Sequence, residues 1–401
     1  MEPRCGKTLS TILALENLGI SKALVLCPAS VQGVWQEELT ERGFTATIIS
    51  GSPSTKRNKL KKEGVHIITF ESSWRGLITP STYPIIVFDE AIKLQSGSSK
   101  VGTFWRNAFN QSQKYWALSG APCPEGALQL ANQALCTKGT WFKYTDFYEY
   151  LNDNWVFDYD RKRFFPQSYA HARNAIAGFH KASFCMAQKD LGFTGLQLAT
   201  RKILATKQDE DLLTANLIGA VDDARAMRWQ QASSGISFDT KQIDIPPTKL
   251  LAIIESVQDT LALEPATQIV VMHRFSATGA WLSDKLNCPW IHGGTSTESR
   301  IAVVNGYKQG KSRVIVCQID TAKMGLDFSA NGNGVLFFAE HSWSGDTFIQ
   351  ATQRIMNITR KTPAFAYTFC LCYEQGSVDL QIYKAVSQKK AFNHRLLSTS
   401  D

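Results

Sequence analysis

Short runs of β-forming apolar residues alternate with longer helical patterns in two separate stretches of this chain, and that rhythm restricts the fold more than any other feature. In the first third, KALVLCP precedes VQGVWQEELTERG, HIITF precedes a polar stretch, and PIIVFDE precedes another. In the last third, TQIVVMH, CPWIHGG, SRVIVCQ, NGVLFFAE and AFAYTFCLC repeat the habit. Strand and helix in alternation specify a parallel sheet wrapped by helices, so two α/β domains are expected. The 401 residues leave room for a third module, each part large enough to bury a core. The expected division is residues 1–124, 125–244 and 245–401. The middle part shows no strand rhythm: FYEYLNDNW, ARNAIAGF and TANLIGAVDDARAMRWQQAS read as helices of an insertion and linker, with an aromatic hairpin around Trp155 to Phe165. No short repeat of fixed period occurs, which excludes a solenoid.

Composition removes several classes of protein. With 44% hydrophobic and 19% charged residues, the chain is neither largely disordered nor a coiled coil. No apolar run is long enough to cross a bilayer, and the opening MEPRCGKT lacks the basic-then-apolar order of a secretory signal, so a cytoplasmic location and no membrane partner are expected. Nine scattered cysteines without a CxxC pair fit buried free thiols in a reducing compartment, not a zinc site or disulfide framework. The net charge of +8 favours a polyanion, though weakly over so large a surface.

Gly6, Lys7 and Thr8 stand where a loop enters the helical pattern LSTILALENLG. A helix start offers unpaired N–H groups and a partial positive charge; Lys7 there reaches β- and γ-phosphates, and the Thr8 hydroxyl can ligate magnesium. Met1 occupies the first glycine position of the full phosphate-loop pattern, so the tripeptide needs support. VFDEA supplies it, because four strand formers deliver Asp89 and Glu90 to a strand's C-terminal end, where doubly wound sheets place their ligands. Asp89 would hold magnesium and Glu90 polarise an attacking water, or the pair would cap a helix.

With both in place, the chain resembles superfamily 2 helicases, and among them Swi/Snf-type translocases, especially compact phage-encoded members, over nearly its whole length. PRCGKT resembles motif I, LVLCPASVQGVWQEE motif Ia, ITFESS motif Ib, VFDEAIKL motif II and LSGAPCP motif III. VVMHRFS resembles motif IV, WIHGGTS the DNA-facing segment after it, QIDTAKMGLDFSAN motif V and QATQRIMNITRKTP motif VI, while RWQQASSGISFD is similar to the entry segment of phage members. The resemblance implies two RecA-like parallel-sheet domains with a mainly helical insertion, ATP and Mg2+ as cofactors, and DNA as partner, with duplex favoured over single strand. It places Arg4, Cys5, Gly6, Lys7, Thr8, Asp89, Gly325 and Asp327 at the nucleotide, with Thr8 and Asp89 on magnesium. Glu90, Gln350, Arg354 and Arg360 are the implied catalytic groups, and Ser30, Ser72, His292, Gly293, Gly294 and Thr295 the DNA contacts. Ser30 is equally a plain helix cap, and His292 to Thr295 equally a strand-ending turn. If the chain is phage-encoded, the host cytoplasm is its workplace.

Three positions depart from the pattern. Asn357 stands where the second arginine of motif VI belongs, with Arg360 one turn on; Ile92 replaces the histidine of DEAH and Ala121 the threonine of SGTP. These departures favour a second reading, a nucleotide-dependent DNA-binding switch with weak or absent ATPase activity. A third, a small-molecule P-loop kinase, leaves the second α/β domain without a task. The chain also starts inside motif I, so the strand before the phosphate loop is expected from further upstream sequence or from another polypeptide. Lys56, Arg57, Lys59, Lys61 and Lys62 either lie on DNA phosphates or form a solvated helix face. Trp155, Arg161, Lys162, Arg163, Phe164 and Phe165 either stack on bases or pack as an ordinary hairpin.

Overall fold

A computed structural model describes residues 5–108, 114–123, 128–137, 144, 147–159, 163–167, 179, 183, 191, 195–243, 247–322, 326–329, 334–356 and 363–397. The chain divides into two compact units, residues 1–187 with 391–401 and residues 188–390.

Unit 1 is built on α1 (Lys7–Asn17), β1 (Ala23–Leu26), α2 (Gln32–Glu41), β2 (Ala46–Ile48), α3 (Pro53–Lys59), β3 (Val65–Ile68), α4 (Phe70–Ser73), β4 (Ile85–Asp89), α5 (Lys100–Asn107) and β5 (Lys114–Leu118). Its five strands are parallel in the order β2-β3-β1-β4-β5. A parallel sheet covered by helices on both faces needs strands that are apolar on both sides. ALVL and IIVF meet that need: Leu24, Leu26, Ile86 and Phe88 enter one core with Trp105, while Ala23, Val25, Ile85 and Val87 enter another with Ile12 and Trp35. β5 pairs with β4 and forms one edge of the described sheet, opposite β2, with Lys114 and Ala117 exposed where every residue of β4 is buried. Beyond it, α6 (Leu128–Thr137) and α7 (Phe147–Asn154) lead into an antiparallel hairpin of β6 (Trp155–Asp158) and β7 (Arg163–Pro166), where the aromatic hairpin was expected. Arg161, Lys162 and the segment ARNAIAGF up to Gly178 lie outside the described residues.

Unit 2 holds β8 (Leu196–Leu204), α8 (Lys207–Leu217), α9 (Asp222–Ser233), α10 (Thr248–Leu263), β9 (Gln268–His273), α11 (Ser276–Leu286), β10 (Trp290–Ile291), α12 (Thr297–Lys308), β11 (Val314–Gln318), α13 (Ile319–Ala322), β12 (Gly334–Phe338), α14 (Gly345–Gln353), β13 (Ala364–Cys372) and the start of α15 (Val378–Leu397). The strands are again parallel, in the order β10-β11-β9-β12-β13-β8.

Two features differ from the sequence reading. β8 lies inside the segment expected to be mainly helical and pairs with β13 along nine residues; as an edge strand it carries Arg201 and Lys202 at exposed positions, a common protection of sheet edges that erases the apolar signature. TANLIGAVDDARAMRWQQAS is two helices, α8 and α9, because Gly219 at φ 65° breaks the pattern between them. The units therefore part near residue 187, and residues 195–243 belong with the second sheet.

The joint between α9, α10 and α15 is polar and buried. Lys249 Nζ donates to Asp379 Oδ2 at 3.1 Å and to the Ser233 and Ser234 hydroxyls at 3.2 Å each, and Asp379 also accepts the Leu371 N–H at 3.1 Å. Both partners are essentially inaccessible to solvent. Removing one partner strands the other charge in the core, so Asp379→Ala is expected to cost unit 2 about 3–5 kcal/mol in urea unfolding, with Lys249→Met/Asp379→Leu regaining part of the loss. Equal stability of Asp379→Ala and wild type would refute this account.

Candidate functional site

The carboxyl ends of β1 and β4 lie side by side, and the groups they deliver converge. Gly6 adopts the left-handed conformation (φ 74°, ψ 29°) just before α1, and no side chain caps the first turn of that helix, so its N–H groups are available to an anion. A Cβ at Gly6 would meet no atom within 4 Å; the backbone angle, and not crowding, is what calls for glycine there. Lys7 Nζ lies 3.9 Å from Glu90 Oε1, which brings the start of α1 to the end of β4. Thr8 follows on the same turn and is half-buried, and Cys5 is buried, whereas Arg4 lies outside the described residues. Glu90 itself is left-handed (φ 59°, ψ 57°), a strained state for a non-glycine residue of the kind that collects at working sites.

Asp89, only 7% exposed, is gripped from behind by a residue that the sequence reading did not single out. Trp35 Nε1 donates to Asp89 Oδ2 at 2.8 Å. Gln32, Trp35 and Leu39 form the buried stripe of α2, so the ring packs as core while its N–H meets the acid. Helical spacing signals only the apolar part of that role. Burial, then the charge of Glu90, pushes the Asp89 carboxyl up to about 6, while the Trp35 N–H and Lys7 pull the other way. Ile92 and Ala121, the departures from the helicase pattern, are both buried.

Further along the same sheet edge, Ser30 is exposed in a 3-10 turn (Ala29–Val31) and caps neither that turn nor α2, so the simple capping role is excluded. The Ser72 hydroxyl accepts a bond from Lys56 Nζ at 3.1 Å.

In unit 2, His292 to Thr295 form a tied turn. The Gly293 N–H donates to Gln318 Oε1 at 3.0 Å, the Gly294 N–H to His292 Nδ1 at 3.1 Å, and the His292 N–H to Thr295 Oγ1 at 3.1 Å. Arg300 Nη2 donates to the carbonyls of His292 and Gly293 at 3.2 and 3.0 Å. The turn is thus rigid and its amides are engaged, leaving the two exposed glycines as the surface that a backbone could approach. Gln350 Nε2 donates to Asp346 Oδ1 at 2.9 Å, and Arg354 ends α14 one turn later, its carbonyl accepting the Phe328 N–H at 3.0 Å. That bond ties the end of α14 to Phe328, next to Asp327, which pairs with Lys308 and accepts the Ser329 N–H at 3.0 Å. Gly325, Asn357 and Arg360 lie outside the described residues. Among the described residues no cluster of His, Cys, Asp and Glu could hold a metal by itself, and no helix is long and apolar enough to cross a membrane.

Comparison with known proteins places these elements in a class. Residues 2–136 match the SNF2-related domain and residues 250–359 the helicase conserved C-terminal domain. Putative protein p41 of Acyrthosiphon pisum secondary endosymbiont phage 1 is 30% identical over 149 residues, 32% of each chain. The Sulfolobus solfataricus SWI2/SNF2 ATPase core, solved in complex with dsDNA, superposes with a TM-score of 0.43 at 15% identity, covering all of this chain and 88% of that one. Two domains of these kinds in this order define a superfamily 2 helicase architecture of two RecA-like halves. The chain belongs to the Swi/Snf-type branch of that superfamily and resembles its phage members.

The raised Asp89 carboxyl yields a signed expectation. Its ordinary value is 3.8, so between about pH 4 and 6 the folded chain keeps a proton that the unfolded chain has released, and stability falls as pH rises through that window. Without metal, Asp89→Asn should therefore be more stable than wild type at neutral pH by up to about 3 kcal/mol, and the gain should vanish below about pH 4. Urea unfolding of both proteins across this range checks it, and a pH-independent difference would contradict it.

Proposed function

We propose that the protein is a DNA-dependent ATPase that hydrolyses ATP between its two RecA-like units and uses the cycle to move along duplex DNA. The single observation that carries this reading is the meeting of Lys7 with the Asp89–Glu90 pair at the uncapped start of α1. A cation and free helix amides at the start of α1, beside two carboxylates at the end of β4, suit a magnesium-bound triphosphate. Lys7 and the α1 amides would bind the β- and γ-phosphates, and Thr8 and Asp89 would hold the metal, with Arg4, Cys5 and Gly6 shaping the loop. Bound there, magnesium supplies neutralising charge on the phosphoryl oxygens. Glu90 would orient the attacking water and accept its proton.

Gln350 and Arg354 would meet the γ-phosphate when the units close, with Arg360 as a second cation and Gly325 and Asp327 linking nucleotide to DNA. An arginine delivered by the other unit stabilises the transition state only in the closed form, which makes hydrolysis depend on closure. Ser30, Ser72 and the His292 to Thr295 turn would hold the DNA backbone, moving the protein by alternate grips. Strand separation is the second choice among motor activities. The half-exposed outer edge of β5 is where a strand from further sequence or from another polypeptide would add. Free cysteines, buried at Cys5, Cys27, Cys123, Cys136, Cys317 and Cys370, suit a cytoplasmic workplace. A nucleotide-dependent switch without turnover is the second reading, favoured by Ile92, Ala121 and Asn357.

Phosphate release with and without duplex DNA tests the choice. Wild type is expected to be stimulated by DNA; Lys7→Ala and Glu90→Gln should abolish turnover, and Arg354→Ala should slow it about 10³-fold. Trp35→Phe, which keeps a ring and deletes the N–H, should raise the magnesium concentration needed for nucleotide binding about tenfold or more. Nucleotide-dependent DNA binding without phosphate release would replace the motor by the switch.

A further inference from the structure

Three neighbouring strands of the first sheet, β1, β3 and β2, end side by side and lead into Ser30, Ser72 and Ser50 in that order. Neighbouring strands lie about 4.8 Å apart, so these three strand ends span about 10 Å. Just past Ser50 the chain enters α3, whose first turn is fixed by the Ser52 side chain accepting the Thr55 N–H at 3.2 Å and by Pro53 at the first helical position. Lys56, Arg57 and Lys59 fill its last turn, where a helix end favours cations, and Lys61 and Lys62 follow.

A merely solvated helix face would send these long side chains into water. Two of them instead turn to the strand ends: Lys56 Nζ donates to Ser72 Oγ at 3.1 Å and Lys59 Nζ to Ser50 Oγ at 3.2 Å. Neither hydroxyl neutralises a charge. Among the described residues none of the five cations forms an ion pair, and the next acid along the chain, Glu63, is 4.0 Å from Lys22. Like charges held together without counter-ions on the protein call for a polyanion.

We infer that Lys56, Arg57 and Lys59 of α3 are backbone-phosphate contacts for duplex DNA, extending the track of Ser30 and Ser72 to the outer edge of the first sheet. The inference rests on the DNA-binding reading given above and assigns it a surface outside the helicase motifs. Contacts of this kind carry no sequence information, as a protein that travels along DNA requires. Lys56 has a second task, since its bond to Ser72 fixes the motif Ib hydroxyl beside the charge.

Each phosphate neutralised on duplex DNA contributes about 0.9 to the slope of log affinity against log salt concentration. Binding of a short fluorescein-labelled duplex by the full chain, followed by anisotropy from about 50 to 200 mM NaCl, tests the assignment. Lys56→Gln/Arg57→Gln/Lys59→Gln should bind more weakly at low salt, with a slope shallower by about 2.7 for three lost contacts. Lys56→Arg/Lys59→Arg should keep the wild-type slope. A Gln variant with an unchanged thermal melt and a wild-type slope overturns the inference and leaves DNA binding itself intact. Failure of the wild type to bind duplex overturns the reading on which it rests.

Discussion

A carboxylate buried at the end of a β-strand is costly unless something nearby favours its charge, and Asp89 has two such neighbours of different origin. Lys7 comes from the start of α1 and Trp35 from the middle of α2, so the two helices flanking β1 both converge on the acid at the end of β4. The balance is incomplete: burial and Glu90 still outweigh the two helpers and keep the carboxyl near 6. An incompletely compensated acid is a receptive one, because a divalent cation would supply the missing favourable term. The strained backbone of Glu90 belongs to the same arrangement, since a left-handed residue straight after the strand turns the chain sharply, with Asp89 held by Trp35 and Glu90 facing Lys7.

Much of this was legible in the residues. The eight apolar runs read as strands all form strands, because a parallel sheet buried on both faces writes itself into sequence as unbroken β-forming residues. Less visible were β2, β5 and β8, where three-residue length, a half-exposed surface and charges on an edge dilute that signal. At the site, Gly6, Lys7, Asp89 and Glu90 follow from local pattern alone. Trp35 does not, since nothing in QGVWQEE states that an indole N–H will end 2.8 Å from an acid 54 residues away. Its helical periodicity indicated burial; the hydrogen-bond demand of a buried indole was the remaining clue, and sequence does not name the acceptor.

The polar joint of unit 2 shows the same limit. Lys249 sits in TKLLAIIESV as an ordinary surface lysine would, one residue into a helix. Its burial against Asp379, Ser233 and Ser234 arises because two other segments, the end of α9 and the start of α15, close over it. A buried ion pair contributes little net stability compared with apolar packing, yet it penalises every arrangement that leaves a partner unmatched. For α9, which carries the segment similar to the phage entry region, that penalty fixes the docking position on the second sheet. Gln230 in the same helix reinforces it by donating to the His341 carbonyl at 2.7 Å.

The two units also offer a backbone different chemistries. Unit 1 presents long cations on α3 and hydroxyls at the strand ends, with Lys56 and Lys59 each held by a bond to a hydroxyl that a phosphate oxygen could replace. Unit 2 presents a turn whose amides are already bonded to Gln318 and His292 and whose carbonyls are held by Arg300, so its shape is set before any ligand arrives. A compliant grip keeps hold while its partner shifts; a rigid one registers position and releases cleanly once displaced. On the DNA-motor reading proposed above, that inequality would give the two surfaces different duties, α3 and its lysines holding the backbone and the His292 to Thr295 turn setting its register.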